Sequence, residues 1–325
     1  MSARPVLCFH APCFDGLCSA VIAERYLVSR RGWQTPVLVA VDYSARGSWL
    51  ATPMPAQSAV VDFLFHPEAA FWADHHPTTN LKVDWSALPA FSEWILPTRL
   101  FDPNALSCAG FLQRELRKLG AAESRFEELA VWADRTDAAL YASVEEAIFP
   151  NAPALRISAS LATASPEACV DLARLLSQRT LHETATDSGV IERLARLRAR
   201  TEKGLQRVRE SIETREGIAR FVASAEDVEI NRYSPYLFAP EARYSVGLVL
   251  SRRGAKITAM RNPWLDFPSV PLGKLSEALG GGGHQRVGAI LLEGADEKRA
   301  RAVMAQLIGA IEREERQGLA RRQTA

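Results

Sequence analysis

The sequence lacks any apolar run long enough to span a bilayer, which argues against a transmembrane helix and a membrane partner. Its five cysteines are odd in number and include no Cys-x-x-Cys pair, so neither a disulfide framework nor a structural zinc knuckle is expected. The opening apolar run, Val6-Leu7-Cys8-Phe9, is too short for the core of a secretory signal. A cytoplasmic protein is the resulting expectation. Charge of one sign is scarce as well, with a formal net charge of +1. A broad electrostatic grip on long nucleic acid is therefore not expected, and a small or short substrate is favoured. The glycine run Gly280-Gly281-Gly282-Gly283-His284 lacks both the Lys-Ser/Thr ending of a P-loop and the G-x-G-x-x-G spacing of a dinucleotide site.

The chain's 325 residues leave room for a large core and for two domains. In the first half, short apolar runs end repeatedly in histidine or aspartate. Val6 to Phe9 reads as a buried parallel strand that exits at His10-Ala11-Pro12-Cys13-Phe14-Asp15-Gly16 and turns into a helix. Pro36 to Val41 exits at Asp42-Tyr43, where a turn-forming role for Asp42 is the safer reading. Ser58 to Val61 exits at Asp62, and Phe71 to Ala73 runs into Asp74-His75-His76-Pro77. Residues at strand exits of an open α/β sheet are placed for chemistry. Carboxylates gathered there without a cation would repel one another and be desolvated at a cost of several kcal/mol. A shared cation site is the reading that removes that cost.

Asp102-Pro103 reads as the opening of a helix that contains Ser107, Cys108, Phe111 and Leu116, with an ordinary helix-end role for Ser107. A further helix, Phe126 to Trp132, leads into Asp134-Arg135-Thr136-Asp137. Asp134 and Asp137 share a helical face, one read as a ligand and the other as a surface acid. Val190, Leu194, Leu197, Leu205, Val208 and Ile212 then form an apolar seam through a charged helix. The last third reads as a smaller α/β unit. Its strands are Tyr244 to Ser251, Lys256 to Arg261 and Val287 to Leu292, its helices Leu272 to Leu279 and Asp296 to Arg313. The four glycines, read as a loop, would let backbone N–H groups approach an anion, with His284 as a further donor.

Taken together, the His10 to Gly16 segment, Asp62, the Asp74-His75-His76 triplet, the acidic segment at Asp134 and the C-terminal glycine run resemble the DHH/DHHA1 phosphoesterase superfamily. The match runs through most of the chain. It implies a parallel-sheet DHH catalytic domain (1–186), a helical connector (187–222) and a smaller α/β DHHA1 domain (223–325). It further implies that His10 and Asp62 ligate one metal, and that Asp15, Asp62, His75 and Asp134 ligate a second, with Asp62 bridging. His76 would contact phosphate with Asp74 supporting it. Arg261, Gly281, Gly282, Gly283 and His284 would bind substrate.

Two Mn²⁺ ions suit such carboxylate and imidazole ligands, with Mg²⁺, Co²⁺ or Zn²⁺ as substitutes. The implied activity is hydrolysis of short oligonucleotides, dinucleotides or nucleotides such as pAp. Phosphoanhydride hydrolysis and a regulatory nucleotide-binding role stand as alternatives, and a homodimer is compatible with either. The chain departs from the family pattern at Cys13, where many relatives carry aspartate. A thiolate suits a softer ion such as Zn²⁺ and serves Mn²⁺ poorly. Inert packing of Cys13 is an equally open reading.

Overall fold

The computed structural model describes residues 4–76 and 98–323; Pro77, which closes the Asp-His-His stretch, lies outside them. Contacts divide the chain into two units, Met1–Leu140 with Asn151–Ala195 and Tyr141–Pro150 with Arg196–Ala325. The division falls inside one long helix, between Ala195 and Arg196. It also assigns a ten-residue segment of the first half to the second unit.

In the first unit, strands β1 (Val6–His10), β2 (Val37–Val41), β3 (Ser58–Val61), β4 (Phe71–Asp74) and β5 (Arg99–Phe101) form one sheet in the order β2-β1-β3-β4-β5. Every neighbouring pair is parallel, with Val6 opposite both Val37 and Ser58. Parallel pairing places all strand exits along one edge, so the register by itself brings His10, Asp62 and Asp74 to the same side of the unit.

Both faces of the sheet are covered, as all-parallel sheets require. Helices α1 (Phe14–Arg31), α2 (Cys108–Lys118) and α3 (Glu127–Asp137) contribute to the main core on one face, through residues such as Leu17, Ile22, Leu112 and Ala133. A smaller aromatic core on Trp49, Phe63, Phe65 and Trp72 fills the other. There the Trp72 indole donates to the Phe63 carbonyl at 2.9 Å and the Trp49 indole to the Leu64 carbonyl at 2.9 Å. Both bonds pin the segment that directly follows Asp62.

Short helices α4 (Val144–Ile148), α5 (Pro153–Ser160), α6 (Pro166–Gln178) and α7 (Leu181–Ala185) lead to the 24-residue α8 (Ser188–Ser211). Helix α8 carries the expected seam: Val190 is buried in the first unit's core and Val208 in the second's. The second unit holds a six-stranded sheet, in the order β10-β11-β9-β8-β7-β6. Its strands are β6 (Glu213–Arg215), β7 (Ile218–Ser224), β8 (Tyr244–Ser251), β9 (Gly254–Arg261), β10 (Gly282–His284) and β11 (Val287–Glu293). Its helices are α9 (Ser234–Phe238), α10 (Leu272–Glu277) and α11 (Glu297–Gln323). Only β7 and β8 pair in parallel.

Candidate metal centre

Asp62 is the centre of the first unit's strand exits. It follows β3 with φ of +55°, a left-handed conformation uncommon outside glycine that aspartate and asparagine tolerate better than most residues. Its backbone N–H donates to the Ala73 carbonyl at 2.8 Å, which holds that turn against β4. The side chain is fully buried, and neither carboxylate oxygen has a hydrogen-bond partner. Burial, and then the neighbouring charges of Asp15, Asp74 and Asp137, push the Asp62 carboxyl well above the usual carboxylate range. A buried carboxylate without a donor is costly, and a cation is the species that would relieve it.

His10, at the end of β1, lies with Nδ1 3.4 Å from Asp62 Oδ2, and this nitrogen too is buried without a hydrogen-bond partner. Burial, and then the His76 imidazole, lower its pKa to about 4, so the ring is neutral and able to offer a lone pair. Cys13 completes a first ligand group: donor atoms of His10, Cys13 and Asp62 all lie within 4.8 Å of one another. Its thiol is pushed well above the ordinary range by burial and then by Asp62, Asp137 and Asp15, against the pull of the Gly16 backbone N–H.

His75 shows its tautomer through its partners. Nδ1 lies 3.1 Å from the Ala105 carbonyl, which makes it the protonated nitrogen. Nε2 then faces Asp137 Oδ2 at 3.3 Å, Asp15 Oδ2 at 3.5 Å and Asp62 Oδ1 at 3.7 Å. Three carboxylate oxygens gathered around one imidazole nitrogen form a set of donor atoms that a cation could bridge. A backbone carbonyl that orients a ligand imidazole in this way is a common feature of metal sites. Asp15 is held from behind, since its two oxygens accept from the Cys108 and Ala109 backbone N–H groups at 2.7 and 2.8 Å, at the N-terminus of α2. It sits in the first turn of α1, and Cys13 takes the N-cap position.

Asp74 and His76 divide their work differently. Asp74 Oδ1 accepts from the His75 backbone N–H at 2.7 Å and lies 2.9 Å from His76 Nδ1. Burial lowers the His76 pKa, but the Asp74 hydrogen bond and charge, with Asp137 and Asp15, outweigh it and leave the group raised. His76 Nδ1 also lies 3.6 Å from Asp62 Oδ1.

Asp134, Arg261 and the glycine run each have other partners within their own units. Asp134, expected as a ligand, accepts from the Ser107 hydroxyl at 2.6 Å and from Arg114 at 3.3 Å. Its helix neighbour Asp137, one turn on, has a carboxylate oxygen grouped with donor atoms of Asp15 and His75, all within 4.8 Å of one another, a set that could hold an ion. The physical reason is the start of α2: Ser107 caps it by accepting from the Gly110 N–H and uses its own proton on Asp134. Asp137→Asn is expected to weaken divalent-ion binding by about tenfold or more. Asp134→Asn should leave binding intact and cost about 1–2 kcal/mol of stability. Calorimetric ion titration and denaturant melts of both variants check this.

Arg261, expected as a phosphate clamp, donates to the Asn262 and Phe267 carbonyls at 2.8 and 3.0 Å and stacks 4.3 Å from the Phe267 ring. The guanidinium thus ties a buried strand end to the loop beyond it. The glycine run is likewise not an open loop. Gly280 has φ of +84°, and Gly282 to His284 form the terminal strand β10, paired with β11. A Cβ at Gly281 or Gly283 would sit 2.2 Å from a β11 carbonyl oxygen, whereas one at Gly282 would meet nothing within 4 Å. Backbone packing explains two of these glycines and positive φ a third.

Tyr43 is a neighbour of the site that residue type alone does not single out. It follows the β2 exit, and its ring packs edge-on to His10 at 4.9 Å and against Phe63 at 5.4 Å. The signal was its position at a strand exit, like those of the ligands. Asp42 beside it caps the following turn by accepting from the Ser44 N–H at 2.7 Å, as expected.

No family model matches the sequence, and no curated protein matches it. Solved structures do share its fold. One described as the pGpG-specific phosphodiesterase PggH from Vibrio cholerae superposes with a TM-score of 0.70 at 16% identity, covering 94% of this chain and 99% of that one. RecJ from Thermus thermophilus in complex with Mn²⁺ does so with a TM-score of 0.58 at 15% identity, covering 95% of this chain and 52% of that one. An exonuclease RecJ bound to manganese gives 0.51 at 13% identity, with 95% and 90% covered.

Proposed function

We propose that this chain, which has the two-domain α/β fold of those phosphodiesterase and RecJ structures, is a metal-dependent phosphoesterase of the DHH/DHHA1 type. Its substrates on this reading are short oligonucleotides, dinucleotides or nucleotides such as pAp. The observation that carries it is the set of buried donor atoms without hydrogen-bond partners, His10 Nδ1, both Asp62 oxygens and His75 Nε2, gathered at one sheet edge. Divalent cations would engage all of these atoms at once and screen the carboxylates from one another. The residues fit one ion held by His10, Cys13 and Asp62 and a second held by Asp15, His75 and Asp137, with Asp62 Oδ1, 3.7 Å from His75 Nε2, able to bridge them. Such ions, when bound, supply Lewis acidity and an activated water for in-line displacement at phosphorus. Mn²⁺ or Mg²⁺ is in keeping with the oxygen and imidazole ligands.

The chain's own residues then have separate tasks. Asp15 and Ala105, through their hydrogen bonds, fix the ligand geometry before substrate arrives. Asp74 holds a proton on His76 Nδ1 and favours the imidazolium, which would donate to a phosphate oxygen and stabilise charge that grows in the transition state. In the second unit, the edge strand Gly282–His284 remains a proposed substrate contact, since the open side at Gly282 lets a ligand approach the backbone closely.

The test is a panel of pGpG, short RNA, pAp and inorganic polyphosphate, each with Mn²⁺, Mg²⁺, Co²⁺ and Zn²⁺. Hydrolysis of a nucleotide substrate that chelator removes and added ion restores is the expected result. Turnover of polyphosphate alone would move the assignment to phosphoanhydrides. No turnover with any ion, while a RecJ control is active, would overturn the proposal.

A further inference from the structure

We propose that the first metal position, built from His10, Cys13 and Asp62, is a thiophilic site, so that the two ions of the centre differ in kind. A softer divalent ion such as Zn²⁺ or Co²⁺ would take the sulfur side, and a harder ion the Asp15, His75 and Asp137 side. This rests on the reading of the cluster as a metal centre and specifies which ions it selects.

Cys13 does not behave as a packing residue. Cys8, Cys18, Cys108 and Cys169 are buried, whereas Cys13 is only partly so, and the groups around it include Asp62, Asp137 and Asp15 rather than apolar side chains alone. Nor does it serve the helix it begins. It occupies the N-cap of α1 with no side-chain capping bond, where serine, threonine, asparagine or aspartate would stabilise the helix by about 1 kcal/mol.

Two independent observations point to a ligand beside the sulfur. Asp62 is fully buried with both oxygens lacking a hydrogen-bond partner, and His10 Nδ1, likewise without one, lies 3.4 Å from Asp62 Oδ2. For bonds of about 2.0 to 2.3 Å, the donor atoms around one tetrahedral ion lie about 3.3 to 3.8 Å apart. The spacing of this pair fits that range. With Cys13, the group supplies one nitrogen, one sulfur and one oxygen, the three protein ligands of an open catalytic site with a fourth position for water or substrate. Binding would exchange the thiol proton, released to solvent, for a sulfur–metal bond. Thiolate selects softer ions, while the second group, which lacks sulfur, suits Mn²⁺ or Mg²⁺.

The experiment is a Co²⁺ titration of the full chain after chelator treatment, followed by near-ultraviolet absorbance and by calorimetry. A thiolate-to-Co²⁺ charge-transfer band that is lost in Cys13→Ser is the expected result. In Cys13→Asp, the preference of the first position for Zn²⁺ over Mn²⁺ should fall by about tenfold or more. Thermal melts establish that the variants are folded, and if Cys13→Ser is not, Cys13→Asp is read in its place. Co²⁺ binding by the wild type without the band, or a band that survives in a folded variant, overturns this inference and leaves the metal centre standing. Failure of the wild type to bind any divalent ion overturns both.

Discussion

Asp62→Asn is expected to lower metal-dependent hydrolysis by about 10³-fold and, at the same time, to make the metal-free chain more stable. Asparagine keeps the size of the side chain and tolerates the φ of +55° that the turn after β3 requires. What it removes is a buried carboxyl whose oxygens have no donor and which faces Asp15, Asp74 and Asp137. Relief of that arrangement should add about 1–3 kcal/mol to the metal-free stability.

Wild-type chain is expected to gain about 2.7 kcal/mol when a divalent ion is added at a hundredfold excess over its dissociation constant. Chelator should therefore lower the wild-type melting temperature more than that of the variant. The pH dependence has a definite sign. Because the folded-state carboxyl is raised, the folded chain keeps a proton that the unfolded chain gives up above about pH 3.9. Metal-free wild type should then lose stability, relative to Asp62→Asn, as pH rises above that value. A variant less stable than metal-free wild type at neutral pH would show that Asp62 has a structural partner instead.

Gly16→Ala is expected to unfold the first unit or to destabilise it by about 3–5 kcal/mol. A Cβ at Gly16 would stand 2.0 Å from the His10 carbonyl oxygen and 2.9 Å from its carbon. Neither group can give way. Gly16 lies in the first turn of α1, and His10 ends β1, which is paired with β2 on one side and β3 on the other. The same close approach sets His10 and Asp15 at one sheet edge, so ion affinity should fall together with stability. A denaturant melt followed by a probe in each unit should show the loss confined to the first. A cost below about 1 kcal/mol would mean that β1 can shift, against what its two parallel ladders imply.

Much of the first unit's architecture was written in short apolar runs. Each of the four anticipated strands is present within a residue or two, because parallel strands covered on both faces need continuous apolar sequence. β5 escaped notice because three residues, Arg99-Leu100-Phe101, carry no periodicity. The start of α2 was displaced for a local reason. Asp102-Pro103 resembles a helix opening, yet the capping bond that forms is that of Ser107 to Gly110.

His10, Asp15, Asp62, Asp74, His75 and His76 were all legible as candidates, since polar residues that interrupt apolar runs at strand exits have one address in an open α/β sheet. The choice between Asp134 and Asp137 was not legible. Three residues apart on one helix, they share a face, and only the packing of α3 against the N-terminus of α2 gives one to Ser107 and the other to His75. The glycine run and Arg261 went the same way. Their residue types suit an anion, but pairing of β10 with β11 and the carbonyls of Asn262 and Phe267 explain much of their chemistry.

Local sequence is enough to say which kinds of group meet and at which edge, because strand direction and side-chain polarity are local properties. Tertiary structure alone decided which atoms face one another. Ligand sets are fixed at the scale of a few ångström, and at that scale the N-terminus of one helix, the tautomer of His75 and the unusual φ of Asp62 outweigh anything that spacing along the chain conveys.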